Sequence, residues 1–256
     1  MCILAAAPGG RLGNQIYPWL YGLIYSKKWG LCLKNVPPEI KNFINFDFDY
    51  CPDCNAQAAS FISCEADDFL EIAPTAHAYN FVNYYIYGNW AEKYQDFIHE
   101  TFNVKQYPDK EKVFMHIRLG DTAWTYKKPR TMYSFAQPFE YYQEAMNALG
   151  NPKGYISSDT PGHELVQKLM QEYDLELYSD GPMETIMFGA GFNNLILSGG
   201  TFSLVIGMIS KADKIFRPGF ACKNPLDVNG HGNVGNDSWI RFQWDYKEDG
   251  TAYRCS

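Results

Sequence analysis

The chain lacks features that would each define a class of protein. It has no basic run, and its 256 residues carry 22 lysines and arginines against 29 acidic residues, a net charge of −7. A nucleic-acid binder would normally show a basic patch or stripe, so we expect no nucleic-acid partner. No apolar stretch approaches the roughly 20 residues that span a bilayer. The first residues are too short and too uncharged to resemble a signal peptide. We therefore expect a soluble, cytoplasmic protein with no membrane span.

The cysteines do not form a recognisable framework. They number seven, which is odd, and their spacing is irregular, so a disulfide scaffold is not expected. Cys51 and Cys54 form a single C-x-x-C pair, whereas a structural zinc site needs a second pair of ligands. Cys64 and His77 stand at a spacing that is not typical of such a site. We expect reduced thiols and no metal.

Strands and helices are predicted to alternate in the second half of the chain. A polar segment with a proline, residues 106–110, precedes apolar runs near residues 113, 154, 175, 194 and 214, with helical patterns between them. Such alternation predicts a parallel sheet with helices on both faces. We place a domain boundary in the polar segment, which gives domains 1–107 and 108–256. The first domain is predicted to contain a strand at 2–7, a helix at 14–29 with Asn14 as its N-cap, and a helix at 90–102. In the second domain, a helix is predicted near 139–149 and an edge strand at 239–246.

Polar or small residues follow three of the predicted strands at once. Arg118 and Asp121 follow the first strand, Asp159 follows the second, and the glycine- and hydroxyl-rich segment 198–203 follows the third. In an open parallel sheet, ligands bind beyond the carboxyl ends of the strands. An arginine fork and a glycine-rich helix start suit a nucleotide diphosphate. His116 shares a face with Arg118 by strand alternation, although a histidine in a strand is equally typical of simple packing.

Other motifs are weaker. The glycines at 9–13 match neither the P-loop nor G-x-G-x-x-G, and Thr201 is interpreted equally well as a plain N-cap. Asp47 and Asp49 form a D-x-D pattern, which many metal-dependent glycosyltransferases use to bind a cation and the donor diphosphate. A solvated face is the more ordinary interpretation of two such carboxylates. If they serve chemistry, we favour a general base over a metal ligand.

Five colinear segments resemble the α-1,2-fucosyltransferases of glycosyltransferase family 11. They are residues 9–15 (GGRLGNQ), 88–94 (GNWAEKY), 116–121 (HIRLGD), 158–160 (SDT) and 201–203 (TFS). The resemblance implies an α/β fold with two Rossmann-like domains in a GT-B-like arrangement. In that arrangement residues 108–256 would hold the nucleotide sugar and residues 1–107 would lie on the acceptor side. It also implies inversion at the anomeric centre, usually without a metal, so no cofactor besides the donor is expected.

The same resemblance implies roles for single residues. Arg118 would bind the donor diphosphate. Apart from the resemblance, Asp121 could hold the arginine fork or cap the following turn, and Asp47 or Asp49 is our candidate for the base that takes the proton of the acceptor hydroxyl. The remaining donor-side positions would be Gly10, Arg11, Asn14, His116, Asp159, Thr201, Phe202 and Ser203. Within that set, His116 and Asp159 would lie near the base or ribose. Thr201, Phe202 and Ser203 would cradle the phosphates, and Gly10, Arg11 and Asn14 would line the donor cleft from the first domain.

One position departs from the family pattern, because Leu119 stands where the motif has a second arginine. The donor is therefore expected to be GDP-fucose or another nucleotide sugar such as UDP-xylose. Enzymes of this sort occur in bacteria and in large algal viruses, where they include a xylosyltransferase; a viral chain would act in the host cytoplasm. Two alternatives are a catalytically silent carbohydrate- or nucleotide-binding protein on the same fold, and a metal-dependent transferase that uses Asp47 and Asp49.

Overall fold

The computed structural model describes residues 2–4, 11–34, 36–45, 61–62, 78–81, 90–129, 136–219 and 238–255. Gly10, Asp47 and Asp49, three of the predicted site residues, lie outside these ranges. The described residues divide into two compact units, one up to Asn103 and the other from Val104 onward. None of the helices in the described ranges combines the length and apolar character needed to cross a bilayer.

A four-stranded parallel sheet organises the first unit. Its strands are β1 (Cys2–Leu4), β2 (Cys32–Lys34), β3 (Phe61–Ile62) and β4 (Ala78–Phe81), in the order β2-β1-β4-β3. Helix α1 (Leu12–Trp29) lies between β1 and β2 in the chain, and it is buried continuously from Ile16 to Ser26. The described residues of this unit also form a 3-10 helix (Pro38–Phe43) and the helices α2 (Trp90–Lys93) and α3 (Gln95–Thr101).

Two helix predictions in this unit are wrong, one in where the helix starts and one in its continuity. Helix α1 has Arg11 as its N-cap, while Asn14 lies in the first turn and donates its amide to the Arg11 carbonyl at 2.9 Å. The extended backbone of Arg11, with ψ at 162°, places the helix start before Asn14. The helix predicted at 90–102 is interrupted between α2 and α3, because Tyr94 has φ −114° and ψ 23°, outside the helical region.

The sheet of the second unit contains six parallel strands. They are β5 (Val113–Ile117), β6 (Gly154–Ser158), β7 (Leu175–Leu177), β8 (Asn194–Leu197), β9 (Lys214–Pro218) and β10 (Ile240–Phe242). Helices α4 (Phe139–Leu149), α5 (Glu164–Tyr173), α6 (Pro182–Ala190) and α7 (Thr201–Ile209) alternate with the first five strands. The sheet order is β10-β9-β8-β5-β6-β7, which read from β7 is the 3-2-1-4-5-6 order of Rossmann sheets. The predicted α/β class, with a parallel sheet flanked by helices, is confirmed.

Burial on both faces explains the continuous apolar run of β5. Val113, Met115 and Ile117 pack into the core cluster that includes residues of α4 and α5. Phe114 contacts Phe188 and Phe192 on the α6 side, with ring centroids 5.9 and 5.7 Å away. A strand covered on both faces reads as unbroken hydrophobicity rather than as alternation.

A glycine permits the close pairing of β5 with β6. A Cβ atom at Gly154 would lie 1.9 Å from the carbonyl oxygen of Val113, closer than any real contact. The pairing of these two strands brings the residues that follow them to one edge of the sheet. Gly154, at the start of β6, therefore helps to place the polar residues that follow the two strands.

The last residues form a hairpin on α4. Strands β11 (Trp244–Tyr246) and β12 (Ala252–Arg254) are antiparallel. Glu144 accepts a hydrogen bond from Trp244 Nε1 at 2.7 Å and pairs with Arg254 at 2.8 Å. The single strand predicted at 239–246 is thus split between the sheet and this hairpin. Cys255 is disulfide-bonded, so the expectation of reduced thiols is wrong for this cysteine. Its pairing depends on proximity in the fold, which cysteine spacing does not reveal.

Candidate functional site

The polar segments singled out from the sequence meet where the strand order reverses. Strand β5 lies between β8 and β6, and His116 is in register with Leu197 on one side and Ser157 on the other. The chain therefore leaves β5, β6 and β8 at the same edge, which brings Arg118 and Asp159 together with Ser198. In Rossmann-type sheets, the crevice at this switch point is where nucleotides bind.

Two carboxylates hold the guanidinium of Arg118. Nη1 donates to Asp159 Oδ2, and Nη2 donates to Asp121 Oδ1 at 2.5 Å. The Arg118 side chain is 14% exposed, that of Asp159 is 31% exposed and that of Asp121 is 67% exposed. An ion pair with so exposed a partner is weak, so an incoming anion can replace Asp121. Asp159 is more firmly placed, because its Oδ1 also accepts the amide of Leu119 at 3.0 Å.

One further hydrogen bond joins the segments that follow β5 and β6, and another lies within the second of them, at the end of β6. The amide of Gly120 donates to Thr160 Oγ1 at 3.1 Å, and the amide of Thr160 donates to Ser158 Oγ at 3.1 Å. Together with the bond from the Leu119 amide to Asp159, these bonds hold the backbone that follows Arg118. This backbone then enters the 3-10 helix at Gly120–Thr125. Thr160 was not predicted as a site residue. Its sequence signals are a hydroxyl directly after a strand and its place in the segment 158–160 that resembles the family motif.

Leu119 lies in the core rather than at the edge of the sheet. It is fully buried and belongs to the cluster that contains Ile117 and residues of α4. The position of the motif's second arginine therefore offers no side chain to a ligand at this edge. The next basic residue, Lys127, instead pairs with Glu164 at 2.8 Å.

Helix α7 begins at a glycine. Gly200 is the N-cap, with φ 93° and ψ 160°, and it has no side chain with which to cap the helix. The alternative interpretation of Thr201 as N-cap is therefore wrong, because Thr201 is already the first helical residue. Amides of a first helical turn have no intrahelical acceptor and carry the positive end of the helix dipole. Such a turn is suited to phosphate, and the left-handed φ of Gly200 favours glycine there.

His116 is enclosed by residues of α7 and the turn before it. Its Nδ1 is 2.7 Å from Ser203 Oγ, and its ring stacks on Phe202 with centroids 4.9 Å apart. Ser203 Oγ is in turn 3.0 Å from Ser198 Oγ, which accepts the amide of Arg118 at 2.8 Å. Burial, and secondarily the charge of Arg118, lower the pKa of His116 from 6.5 to about 3. The imidazole is therefore neutral at physiological pH.

Two hydroxyl groups near His116, those of Ser203 and Ser198, have surroundings that differ from the sequence-based expectation. Ser203 is 1% exposed and its hydroxyl is engaged inside the protein, whereas the resemblance implied a contact between this residue and phosphate. Ser198, which was not among the predicted site residues, links Arg118 to that cluster. Thr201 and Phe202 are half-buried at the start of α7.

The predicted site residues of the first unit are placed at α1 or lie outside the described ranges. Arg11 is exposed and Asn14 is half-buried, both at the start of that helix. Their role in lining a donor cleft stays a prediction. So do the role of Gly10 and the assignment of Asp47 or Asp49 as general base.

Within the described ranges, no group of three or more His, Cys, Asp or Glu side chains is arranged to hold an ion. Asp47 and Asp49 lie outside these ranges.

A small cavity lies elsewhere in the second unit. It has a volume of about 150 Å³ and is lined in part by Tyr126, Lys127, Glu164 and Tyr246. Ligand pockets for small molecules are usually about 300–1,000 Å³, so this cavity is smaller than such a site. Its charged lining is already paired through Lys127 and Glu164. The switch point is the better candidate.

Comparison with known proteins gives no family assignment. No protein-family model matches the chain, and no curated protein sequence matches it. The turn after β5 reads Arg118-Leu119-Gly120-Asp121, which is not the G-x-G-x-x-G fingerprint of dinucleotide-binding Rossmann domains. The function is therefore inferred from the chemistry of the residues that follow β5, β6 and β8.

Proposed function

We propose that the chain is an inverting glycosyltransferase, which moves a sugar from a nucleotide-sugar donor to a hydroxyl group of a glycan. The observation that carries the proposal is the position of Arg118 at the switch point between β5 and β8. The first turn of α7 follows β8 at the same edge. A cation and the amides at a helix N-terminus are two devices that proteins use to bind phosphate.

When the donor binds, its diphosphate would replace the exposed Asp121 as a partner of the Arg118 guanidinium. Asp159 stays bound to Arg118 and to the amide of Leu119, so it keeps the guanidinium oriented while the ligand is present. An arginine that is held in advance loses less rotamer freedom on binding. Since Leu119 is buried, the diphosphate would rely on Arg118 and α7 rather than on a pair of arginines.

The transfer step forms one bond and breaks one bond. The acceptor oxygen attacks the anomeric carbon from the face opposite the leaving group, and the bond between that carbon and the β-phosphate oxygen breaks. The bonding electrons leave with the nucleoside diphosphate, whose added negative charge Arg118 and the α7 amides would stabilise. A general base takes the acceptor proton, and Asp47 or Asp49 are our candidates.

The family resemblance supplies the finer parts of the proposal. They are a two-domain GT-B-like arrangement, with residues 108–256 on the donor side and residues 1–107 on the acceptor side. The donor would be GDP-fucose or a related nucleotide sugar such as UDP-xylose. Residues His116 and Asp159 would lie near the base or ribose.

Product analysis tests the proposed reaction. The purified chain is incubated with GDP-fucose or UDP-xylose and a panel of oligosaccharides, and the released nucleoside diphosphate and the anomeric configuration of the product are measured. We expect release that depends on the acceptor, with inverted configuration, in the presence of chelator. Loss of activity in chelator would favour the metal-dependent alternative. Binding of a nucleotide sugar without turnover on any acceptor would favour the silent binding protein.

Asparagine variants test the general base. Asp47→Asn or Asp49→Asn should lower the transfer rate by about 10²–10⁴-fold, since that is the usual contribution of a positioned base. Donor affinity should stay unchanged, because the base acts on the acceptor. If both variants transfer at the parent rate, neither carboxylate is the base.

A further inference from the structure

Three hydrogen bonds connect the backbone of Arg118 to the ring of His116. The amide of Arg118 donates to Ser198 Oγ at 2.8 Å, Ser198 Oγ lies 3.0 Å from Ser203 Oγ, and Ser203 Oγ lies 2.7 Å from His116 Nδ1. Ser198 and Ser203 are each 1% exposed, and His116 is 5% exposed. The chain of bonds spans β5, β8 and α7 across the switch point.

The distances favour one direction for these bonds. Ser198 accepts from an amide, so its single proton is given either to Ser203 Oγ at 3.0 Å or to the Gly199 carbonyl at 3.4 Å. If it is given to Ser203, then Ser203 gives its own proton either to His116 Nδ1 at 2.7 Å or to the Gly199 carbonyl at 3.5 Å, and only the first choice gives both hydroxyl protons a short acceptor. In the opposite direction, with His116 donating to Ser203 and Ser203 to Ser198, the proton of Ser198 has only the long contact to Gly199. Bond lengths near 2.7–3.0 Å are normal for hydroxyl donors, so the first direction is favoured.

This direction determines which ring nitrogen carries the proton. A neutral imidazole has one N–H donor and one acceptor nitrogen. Because Nδ1 accepts from Ser203, the proton is on Nε2. That atom makes no hydrogen bond to any residue of the described ranges. The lowered pKa of His116 keeps the ring in this neutral form.

We propose that Ser198 and Ser203 are positioning residues, which hold His116 as the neutral Nε2–H tautomer so that it donates a hydrogen bond to an acceptor atom of the bound ligand. The identity of the ligand as a nucleotide rests on the proposed function, but the tautomer does not. A ring fixed in this way recognises a ligand oxygen or an acceptor nitrogen, and it disfavours an amino group at the same place. The site thereby gains a neutral donor beside the charged donor Arg118.

Nitrogen-15 NMR of histidine-labelled protein tests the tautomer without any ligand. The chain has five histidines, and the signals of His116 are those that disappear in His116→Asn. In the parent we expect a proton on Nε2 and an Nδ1 resonance of an acceptor. In Ser203→Ala the Nδ1 resonance should change, through loss of the accepted bond or partial protonation. Ser210→Ala is the matched control, because Ser210 is a buried hydroxyl at the other end of α7 that donates to Gly207.

Two outcomes of the spectra overturn the proposal. One is a proton on Nδ1 in the parent, and the other is an unchanged Nδ1 resonance in Ser203→Ala. If Ser203→Ala does not fold, Ser203→Cys keeps a similar volume with a weaker donor, and the same change of smaller size is expected.

Calorimetry with UDP and GDP tests the contact to the ligand. His116→Asn keeps an acceptor oxygen toward Ser203 but has no group at the position of Nε2. We expect it to bind the preferred nucleotide about fivefold more weakly than the parent, as for one neutral hydrogen bond. Unchanged affinity in His116→Asn overturns the donor role. If the parent binds neither nucleotide, the proposed function fails and the donor role fails with it, while the spectra still decide the tautomer.

Discussion

Acidification should destabilise the folded chain through His116. The unfolded chain binds a proton at this residue near pH 6.5, whereas the folded chain does so only near pH 3. Above pH 6.5 the residue is neutral in both states and stability does not depend on its titration. As the pH falls from 6.5 toward 3, the unfolded state binds the proton first and folding becomes less favourable. The loss is about 1.4 kcal/mol per pH unit, or about 2 kcal/mol by pH 5.

Urea unfolding at pH 7, 6 and 5 measures this loss in the parent and in His116→Asn. The variant cannot titrate at this position, so the parent's stability relative to the variant should fall by about 2 kcal/mol between pH 7 and 5. The exposed carboxylates with lowered pKa, Glu164, Asp174 and Asp249, lose their contributions at lower pH than this window. Ser210→Ala, the control, should keep a constant difference from the parent. A constant difference for His116→Asn as well would refute the assignment of His116 as a buried neutral group.

Two further expectations concern the second unit. Gly154→Ala should lower stability by about 1–3 kcal/mol in urea unfolding, because its Cβ would overlap the backbone of β5, whereas Gly162→Ala, which meets nothing within 4 Å, should be nearly neutral. Equal effects of the two changes would show that β5 and β6 do not approach as described. Leu119→Arg should destabilise strongly by placing a charge in the core, while Leu177→Arg, at a leucine 40% exposed, should have little effect. A well-folded Leu119→Arg that binds nucleotide more tightly would instead place residue 119 at the edge of the sheet.

The architecture of the second unit was largely predictable from local signals. Helix α4 begins at Phe139 and ends at Leu149, as predicted, because its apolar spacing is regular and Pro138 and Gly150 bound it. The strands near residues 113, 154, 175, 194 and 214 are all present. Alternation of strands and helices then implies a parallel sheet, and a parallel sheet brings the ends of neighbouring strands to one edge.

The hydrogen bonds within the candidate site were not predictable, because they join residues that are far apart in the sequence. Ser203 and His116 are 87 residues apart, and no local pattern shows that one hydroxyl turns inward to the ring of the other. Leu119 follows Arg118 directly and stands where the family motif has a second arginine. Its backbone, at φ −126° and ψ −73°, leaves the strand conformation, and its side chain enters the core.

The most direct test of the central claim is calorimetric titration of GDP and UDP into the parent, Arg118→Lys and Arg118→Ala. Lys153→Gln is the control, since it removes an exposed positive charge that pairs with Asp174 at the opposite end of β6. If the switch point binds a nucleoside diphosphate through Arg118, the parent should bind one of the two nucleotides. Arg118→Ala should then bind it about 10–150-fold more weakly, as for the loss of a charged hydrogen bond, Arg118→Lys should be intermediate, and Lys153→Gln should match the parent. Parent-like affinity in both Arg118 variants, or no binding of either nucleotide by the parent, would contradict the account.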